Sequence, residues 1–298
     1  MSRILFAGCA PAVVCPMHLD GSVDFEAFDR LIEFLISEGV SALVVNGTTG
    51  EASTLTSEEK IELVKRAVAI SNKRVPIIAG AGSNVTANAV KAAMDAKEAG
   101  ADGLLLVTPY YNKTSQRGLI AHYEAIVNAT QLPAILYTVP GRTGMNILPE
   151  TVEELAKNPY IVGLKDATGN MAYTVEVLRR TKALDFAVYS GEDKLTAAFG
   201  AIGGKGVISV AANVYPKAFE TMAQAAMKGD LQNAQTIMCD MEQFITLMFK
   251  DVNPIPVKVS MAHMGYGENM LRLPLVPTTK ALEEQIINEM ASLKGKGY

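Results

Sequence analysis

The stretch "YIVGLKDATGN" at residues 160–170 runs an apolar segment straight into Lys165. An ammonium at the end of a buried strand costs desolvation, and its long side chain must be ordered there. That cost points to a use. Other polar groups stand in comparable places: Thr48 and Thr49 in "NGTTGEAST", Tyr111 in "TPYYNK", and Tyr137 and Arg142 in "LYTVPGRTG". A lysine in a dry site has its charged form disfavoured and its pKa lowered. The neutral amine can attack a ketone to form a Schiff base. The protonated imine withdraws electrons, the neighbouring carbon loses a proton, and an enamine nucleophile results. Tyrosine and threonine hydroxyls can relay those protons. Backbone N–H groups of the "GTTG" turn suit a carboxylate. These segments carry no thiol, no histidine and no carboxylate cluster of metal-ligand type, so the expected chemistry is metal-free.

Plainer readings exist for each group. Lys165 can pair with Asp166, or its amine can snorkel to the surface. Tyr110 and Tyr111 can form a simple aromatic patch, and Arg142 can be a solvated loop charge. "GGKG" at 203–206 resembles a phosphate loop, but it leads into a strand and reads better as a tight turn. Taken singly, these residues leave the choice open; their recurrence at several strand ends carries the argument.

The elements that must position them are legible as a repeat. Apolar runs at 12–15, 42–45, 76–79, 103–107, 133–137, 161–164, 186–189 and 206–210 are nearly continuous, the pattern of parallel strands covered on both faces. Helical patterns lie between them. Phe25, Phe28, Leu31, Ile32 and Leu35 form one stripe, and Thr56 with Glu59 has capping-box spacing before another. Similar helices are expected near 115–129, 148–157, 169–183, 192–200 and 215–228. Eight such units predict a (β/α)8 TIM barrel over residues 1–228, carrying the active site at the C-terminal ends of its strands. Residues 229–298 read as a C-terminal helical extension, with helices at 230–250, 255–265 and 279–293. Two prolines in "NPIPVK" fit a helix entry. The methionines of "MAQAAM" and "IMCDMEQFITLMF" read as packing.

Composition agrees with a small-molecule enzyme. Of 298 residues, 49% are hydrophobic and 19% charged, with a net charge of -4, so no basic field exists to hold nucleic acid or an anionic membrane. Cys9, Cys15 and Cys239 match no zinc or redox spacing, and reduced thiols in a cytoplasmic protein are expected. The apolar run before Gly8 is too short for a signal-peptide core, and no run reaches membrane-spanning length.

Seven stretches, "GTTGE", "TPYYNK", "YTVPGRTG", "GLKDATGN", "SGED", "GGKGVISV" and "NPIPVK", span nearly the whole chain. Through them it resembles the dihydrodipicolinate synthase/N-acetylneuraminate lyase family of class I aldolases. The resemblance implies that Lys165 forms an imine with pyruvate, with no other cofactor, and that Tyr137 is the central proton donor and acceptor. Thr49 would link Tyr137 to Tyr111, which would reach in from a neighbouring subunit. Thr48 and Thr49 would hold the pyruvate carboxylate, and Arg142 the carboxylate of aspartate semialdehyde. Gly191 and the Ile208 carbonyl would line the pocket. The implied product is the cyclic precursor of diaminopimelate and lysine, and the implied assembly a homotetramer of two tight dimers. Relatives acting on 2-oxo sugar acids, and a non-catalytic pyruvate-binding barrel, are the alternatives. Pro11, Cys15, Ala52 and Thr138 depart from the family's usual residues without removing a catalytic group.

The resemblance also implies an interface cleft near Ala52, Ser53, Ser57, Lys60, Asn84, Asn88 and Tyr110, where some members bind L-lysine. Asn88 stands where many of those members have a glutamate, Ser57 replaces a histidine, and Lys60 adds a like charge. Insensitivity to lysine is expected.

Overall fold

The computed structural model describes residues 3–298. Its eight strands are β1 (Gly8–Pro11), β2 (Leu43–Val45), β3 (Ile77–Gly80), β4 (Gly103–Val107), β5 (Ala134–Thr138), β6 (Ile161–Asp166), β7 (Ala187–Ser190) and β8 (Gly206–Ser209). All pair in parallel, in the order β1-β8-β7-β6-β5-β4-β3-β2. The seam between β1 and β2 closes through a bridge from Ala12 to Val44, where the Val13 N–H donates to the Val44 carbonyl at 2.9 Å. The architecture is a TIM barrel with C-terminal helices.

Side chains alternate across each strand, so the barrel has two apolar layers. One lies between sheet and helices and includes Leu43, Leu104, Leu136 and Leu164. The other fills the interior with Ala10, Val44, Ile78, Leu105, Ile135 and Ile208. Phe6 and Tyr189 stack at 4.3 Å within that layer, and the Tyr189 hydroxyl donates to the Phe6 carbonyl at 2.7 Å. The barrel is a packed core, and its chemistry must sit at the rim.

The helix expectations hold in their main features. The helix Phe25–Ser37 buries Phe28, Leu31, Ile32 and Leu35, and Thr56 and Glu59 form the reciprocal capping box of Ser57–Ser71. Beyond Pro216–Lys228, the helices Leu231–Met248, Ile255–His263 and Lys280–Gly295 pack on one another and on the last units of the barrel. Met222, Met241 and Met248 are fully buried in that packing.

Two expectations need correction. The first strand lies at Gly8–Pro11 and not at 12–15. Of the apolar run 12–15, Ala12 and Val13 still bond to strand backbone, and beyond them side chains replace the ladder: the Val14 N–H donates to Asn213 Oδ1 at 3.0 Å, and Lys258 Nζ donates to the Cys15 carbonyl at 2.7 Å. The helix expected at 192–200 is a 3-10 turn, Asp193–Leu195, followed by Thr196–Ala201. A short helix, Pro140–Thr143, directly follows β5 and was not expected.

Candidate active site

Register brings the principal groups together. Tyr137 on β5, Lys165 on β6 and Tyr189 on β7 are lateral neighbours. Lys165 is only 6% exposed, and its Nζ lies 4.3 Å from the centroid of the Tyr137 ring. Burial lowers its pKa to about 8, against the opposing pull of Asp193 and Glu192; Arg142 lowers it further. Asp166 is not its partner. Alternation turns Asp166 to the other face, where it accepts from the Thr174 hydroxyl at 2.6 Å and the Thr168 N–H at 2.9 Å.

Gly191, just beyond β7, makes room for the lysine. A Cβ there would sit 3.1 Å from Lys165 Cε and 2.7 Å from the Ala167 Cβ. The glycine is required by close approach.

Tyr137 is driven the opposite way from Lys165. Burial pushes its phenol up to about 12; Arg142 and a hydrogen bond with Thr48 pull it down, and Glu192 pushes it up. It is therefore a protonated donor at neutral pH, beside an amine whose proton is easily lost.

The two threonines differ in their surroundings. Thr48 is the threonine beside Tyr137, and its hydroxyl helps hold the phenol's pKa down. The Thr49 hydroxyl instead accepts from Asn253 Nδ2 at 3.1 Å and is buried. The turn that presents them is tight: the Gly50 N–H donates to the Gly47 carbonyl at 3.1 Å, and Asn46 and Glu51 both adopt left-handed backbone, at φ 59 and 54. The Thr48 and Thr49 amides donate to no protein group among the described residues, which leaves them available to a carboxylate.

Arg142 projects from the Pro140–Thr143 helix, and its Nη2 donates to the Asn253 carbonyl at 3.0 Å. Asn253 thus braces both Thr49 and Arg142. A cavity of about 230 Å³ collects these groups: Thr48, Thr49, Tyr137, Arg142, Lys165, Gly191, Glu192 and Asn253 line it, with Val139, Val210 and Phe249 supplying apolar wall. The Ile208 side chain is buried in the interior layer of the barrel, and Val210, two residues on, lines the cavity.

Tyr111 stands apart. It is 93% exposed with φ 69, so its own barrel neither packs it nor delivers it to the cavity. A larger recess of about 580 Å³ adjoins the first, lined among others by Ala52, Ser57, Lys60, Asn88, Lys91, Asp95 and Tyr110. Gly47, Thr48, Leu105 and Tyr137 face both cavities. Burial lowers the pKa of Lys60. "GGKG" forms the expected tight turn, with Gly203 at φ 103 and Gly206 at φ 126 entering β8.

Asn253 and Glu192 were not singled out from the sequence. Glu192 had a signal, as the acid directly after the β7 end in "SGED". Asn253 had none, because it lies beyond the eight repeats. The glutamate of "GTTGE" also finds its purpose: Glu51 and Lys258 of "NPIPVK", each 2% exposed, form an ion pair at 3.1 Å, and Glu51 also accepts from the Arg272 N–H at 3.1 Å. That pair ties the threonine turn to the C-terminal helices.

Comparison with known proteins is consistent along the chain. The model of the dihydrodipicolinate synthetase family matches residues 5–292. A 4-hydroxy-tetrahydrodipicolinate synthase from Alkaliphilus oremlandii is 47% identical over 286 residues, covering 96% of this chain and 98% of that protein. Among solved structures, a chloride-inhibited dihydrodipicolinate synthase from Acinetobacter baumannii in complex with pyruvate is 42% identical. It covers 96% of this chain and 98% of that one, with a TM-score of 0.93. A monomeric dihydrodipicolinate synthase variant is 39% identical with a TM-score of 0.94, covering 97% of each chain.

Proposed function

The chain belongs to the dihydrodipicolinate synthetase family, and on that premise we propose that it condenses pyruvate with L-aspartate 4-semialdehyde to give 4-hydroxy-tetrahydrodipicolinate, on the route to diaminopimelate and lysine. One observation carries the reading: a buried lysine amine, its pKa lowered to about 8, held against a tyrosine that keeps its proton.

The sequence of events follows from the geometry. Pyruvate places its carboxylate on the Thr48 and Thr49 amides. The neutral Lys165 amine attacks the ketone carbon, and water leaves as the imine forms. Tyr137, relayed through Thr48, carries protons to the departing hydroxyl and away from the methyl carbon. The iminium is the electron sink, so the step needs no metal and no cofactor beyond the covalent imine. The enamine carbon then attacks the aldehyde of the second substrate, whose carboxylate Arg142 clamps with paired hydrogen bonds. The substrate amine finally displaces the lysine and closes the ring. A sugar-acid chain would offer hydroxyls to that guanidinium, a weaker match than a carboxylate.

Tyr111 completes the proton relay only across an interface: Tyr111 of the partner subunit reaches the Thr48–Tyr137 pair. Its exposure and left-handed backbone support this reading. The assembly is a homotetramer of tight dimers in the cytoplasm. Among the described residues, no helix is long and apolar enough to cross a membrane.

Borohydride added with pyruvate should fix a stable adduct on Lys165, read by intact mass and peptide mapping. An adduct on another lysine, or none, overturns the mechanism. Mixing Lys165→Ala and Tyr111→Phe proteins under subunit exchange should regain activity, since a mixed dimer assembles one whole site; no recovery in demonstrated mixed dimers refutes the shared tyrosine.

A further inference from the structure

Four carboxylates lie close to the barrel mouth, and three are committed to the protein. Glu51 is paired with Lys258, Asp166 accepts from Thr168 and Thr174, and Asp193 accepts from the Val210 and Ala211 N–H groups, both at 3.1 Å. Glu192 differs. Its backbone is pinned: the N–H donates to the Ser190 hydroxyl at 3.1 Å, and that hydroxyl donates to the Glu192 carbonyl at 2.7 Å. Its carboxylate makes no hydrogen bond or ion pair among the described residues, yet it lines the small cavity.

Arg142 lines the same cavity, and its side chain bonds only to a neutral carbonyl. Among the described residues no ion pair joins Arg142 to Glu192; Glu192 acts on the Lys165 ammonium through space, without a hydrogen bond to it. An anion on a pinned backbone and a cation, neither of them ion-paired and both facing one small space, are complementary to a ligand carrying a carboxylate and an ammonium together. Pyruvate has no ammonium. The second substrate has one, on the carbon that bears the carboxylate Arg142 takes.

We propose that Glu192 is a specificity-determining residue: its carboxylate receives the α-ammonium of the second substrate, so that Glu192 and Arg142 together select an amino-acid aldehyde. The inference rests on the proposed condensation. Burial first and then Asp193 hold the Glu192 carboxyl above its usual range, while Lys165 pulls it down; a carboxylate so placed gains from an arriving cation. The charges balance when both substrates are bound, with the pyruvate carboxylate against the iminium and the zwitterion against Arg142 and Glu192.

The test compares two aldehydes that differ only in the amino group. L-Aspartate 4-semialdehyde is assayed as substrate, and succinate semialdehyde as a competitive inhibitor against it. Glu192→Gln should raise KM for aspartate semialdehyde by about tenfold or more, the scale of a lost charge-assisted hydrogen bond. The inhibition constant of succinate semialdehyde should stay where it is, and the pyruvate adduct should still form on Lys165. Glu192→Asp should keep a preference for the amino compound. A parallel rise for both aldehydes makes Glu192 a wall residue and overturns the proposal, as does an unchanged KM. If the unsubstituted protein forms no pyruvate adduct or does not consume aspartate semialdehyde, the underlying reading fails instead.

Discussion

Lys165 and Tyr137 face each other across neighbouring strands, with the amine 4.3 Å from the ring centroid and their pKa values displaced in opposite directions. Burial is the largest cause of both shifts, because it disfavours whichever form is charged: the ammonium of the lysine and the phenolate of the tyrosine. The pairing sets an easily deprotonated amine beside a phenol that keeps its proton.

The pH dependence follows in sign. The reactive lysine is neutral, and neutral lysine dominates above its pKa of about 8. The rate of imine formation with pyruvate should therefore climb about tenfold per pH unit in acid solution and level off above that value. Rapid-quench borohydride trapping across pH measures this. A profile still rising steeply above pH 9.5 would mean that the lysine is not desolvated.

Gly191→Ala should slow imine formation by about 10- to 100-fold, because the new Cβ displaces Lys165 Cε by contact. The nearest obstacle to that Cβ is the Ala167 side chain. Adding Ala167→Gly should recover part of the rate. If Gly191→Ala traps pyruvate normally, the close approach does not constrain the lysine.

Arg142→Ala should impair use of aspartate semialdehyde much more than formation of the pyruvate adduct, if its guanidinium holds the carboxylate of the second substrate as proposed. Equal loss in the two steps would assign Arg142 to holding Asn253 in place.

The Glu51–Lys258 pair should be a stability element. Lys258→Met strands a buried carboxylate and should cost about 3–5 kcal/mol in chemical denaturation. The double substitution Glu51→Gln with Lys258→Met should cost less than the sum of the single ones. Additive losses would show that the two residues act separately.

L-Lysine should not inhibit at submillimolar levels. The larger recess presents Lys60, Ser57 and Asn88, and its acid Asp95 is already held by Lys91 at 2.6 Å. Losing a charge-assisted hydrogen bond of about 1.5–3 kcal/mol weakens binding roughly tenfold or more. A lysine titration at subsaturating pyruvate checks this, and clear inhibition would contradict it.

The barrel was legible because buried parallel strands leave near-continuous apolar runs, and Lys165 because it interrupts one of them. Strand one was misplaced because residues 9–15 are apolar almost throughout; what separates strand from loop there is a distant amide, Asn213. The roles of Thr48 and Thr49 cannot be told apart by periodicity, since neighbours on a tight turn obey neither a period of 2 nor one of 3.6. What distinguishes their surroundings is Asn253, which bonds the Thr49 hydroxyl from 204 residues further along the chain. Glu192 and Asn253 matter through what surrounds them, and that environment is a property of the fold.

The wall made by Gly47, Thr48, Leu105 and Tyr137 has catalyst on one side and recess on the other. A molecule settling in the recess would touch the far side of the Thr48 and Tyr137 wall, so any influence on the smaller cavity would need no messenger through the barrel. The residues that would recognise such a molecule, Ser57, Lys60 and Asn88, lie away from that partition. Their identities can drift while the partition stays intact. Enzymes built this way can change the signals they obey without relearning their chemistry.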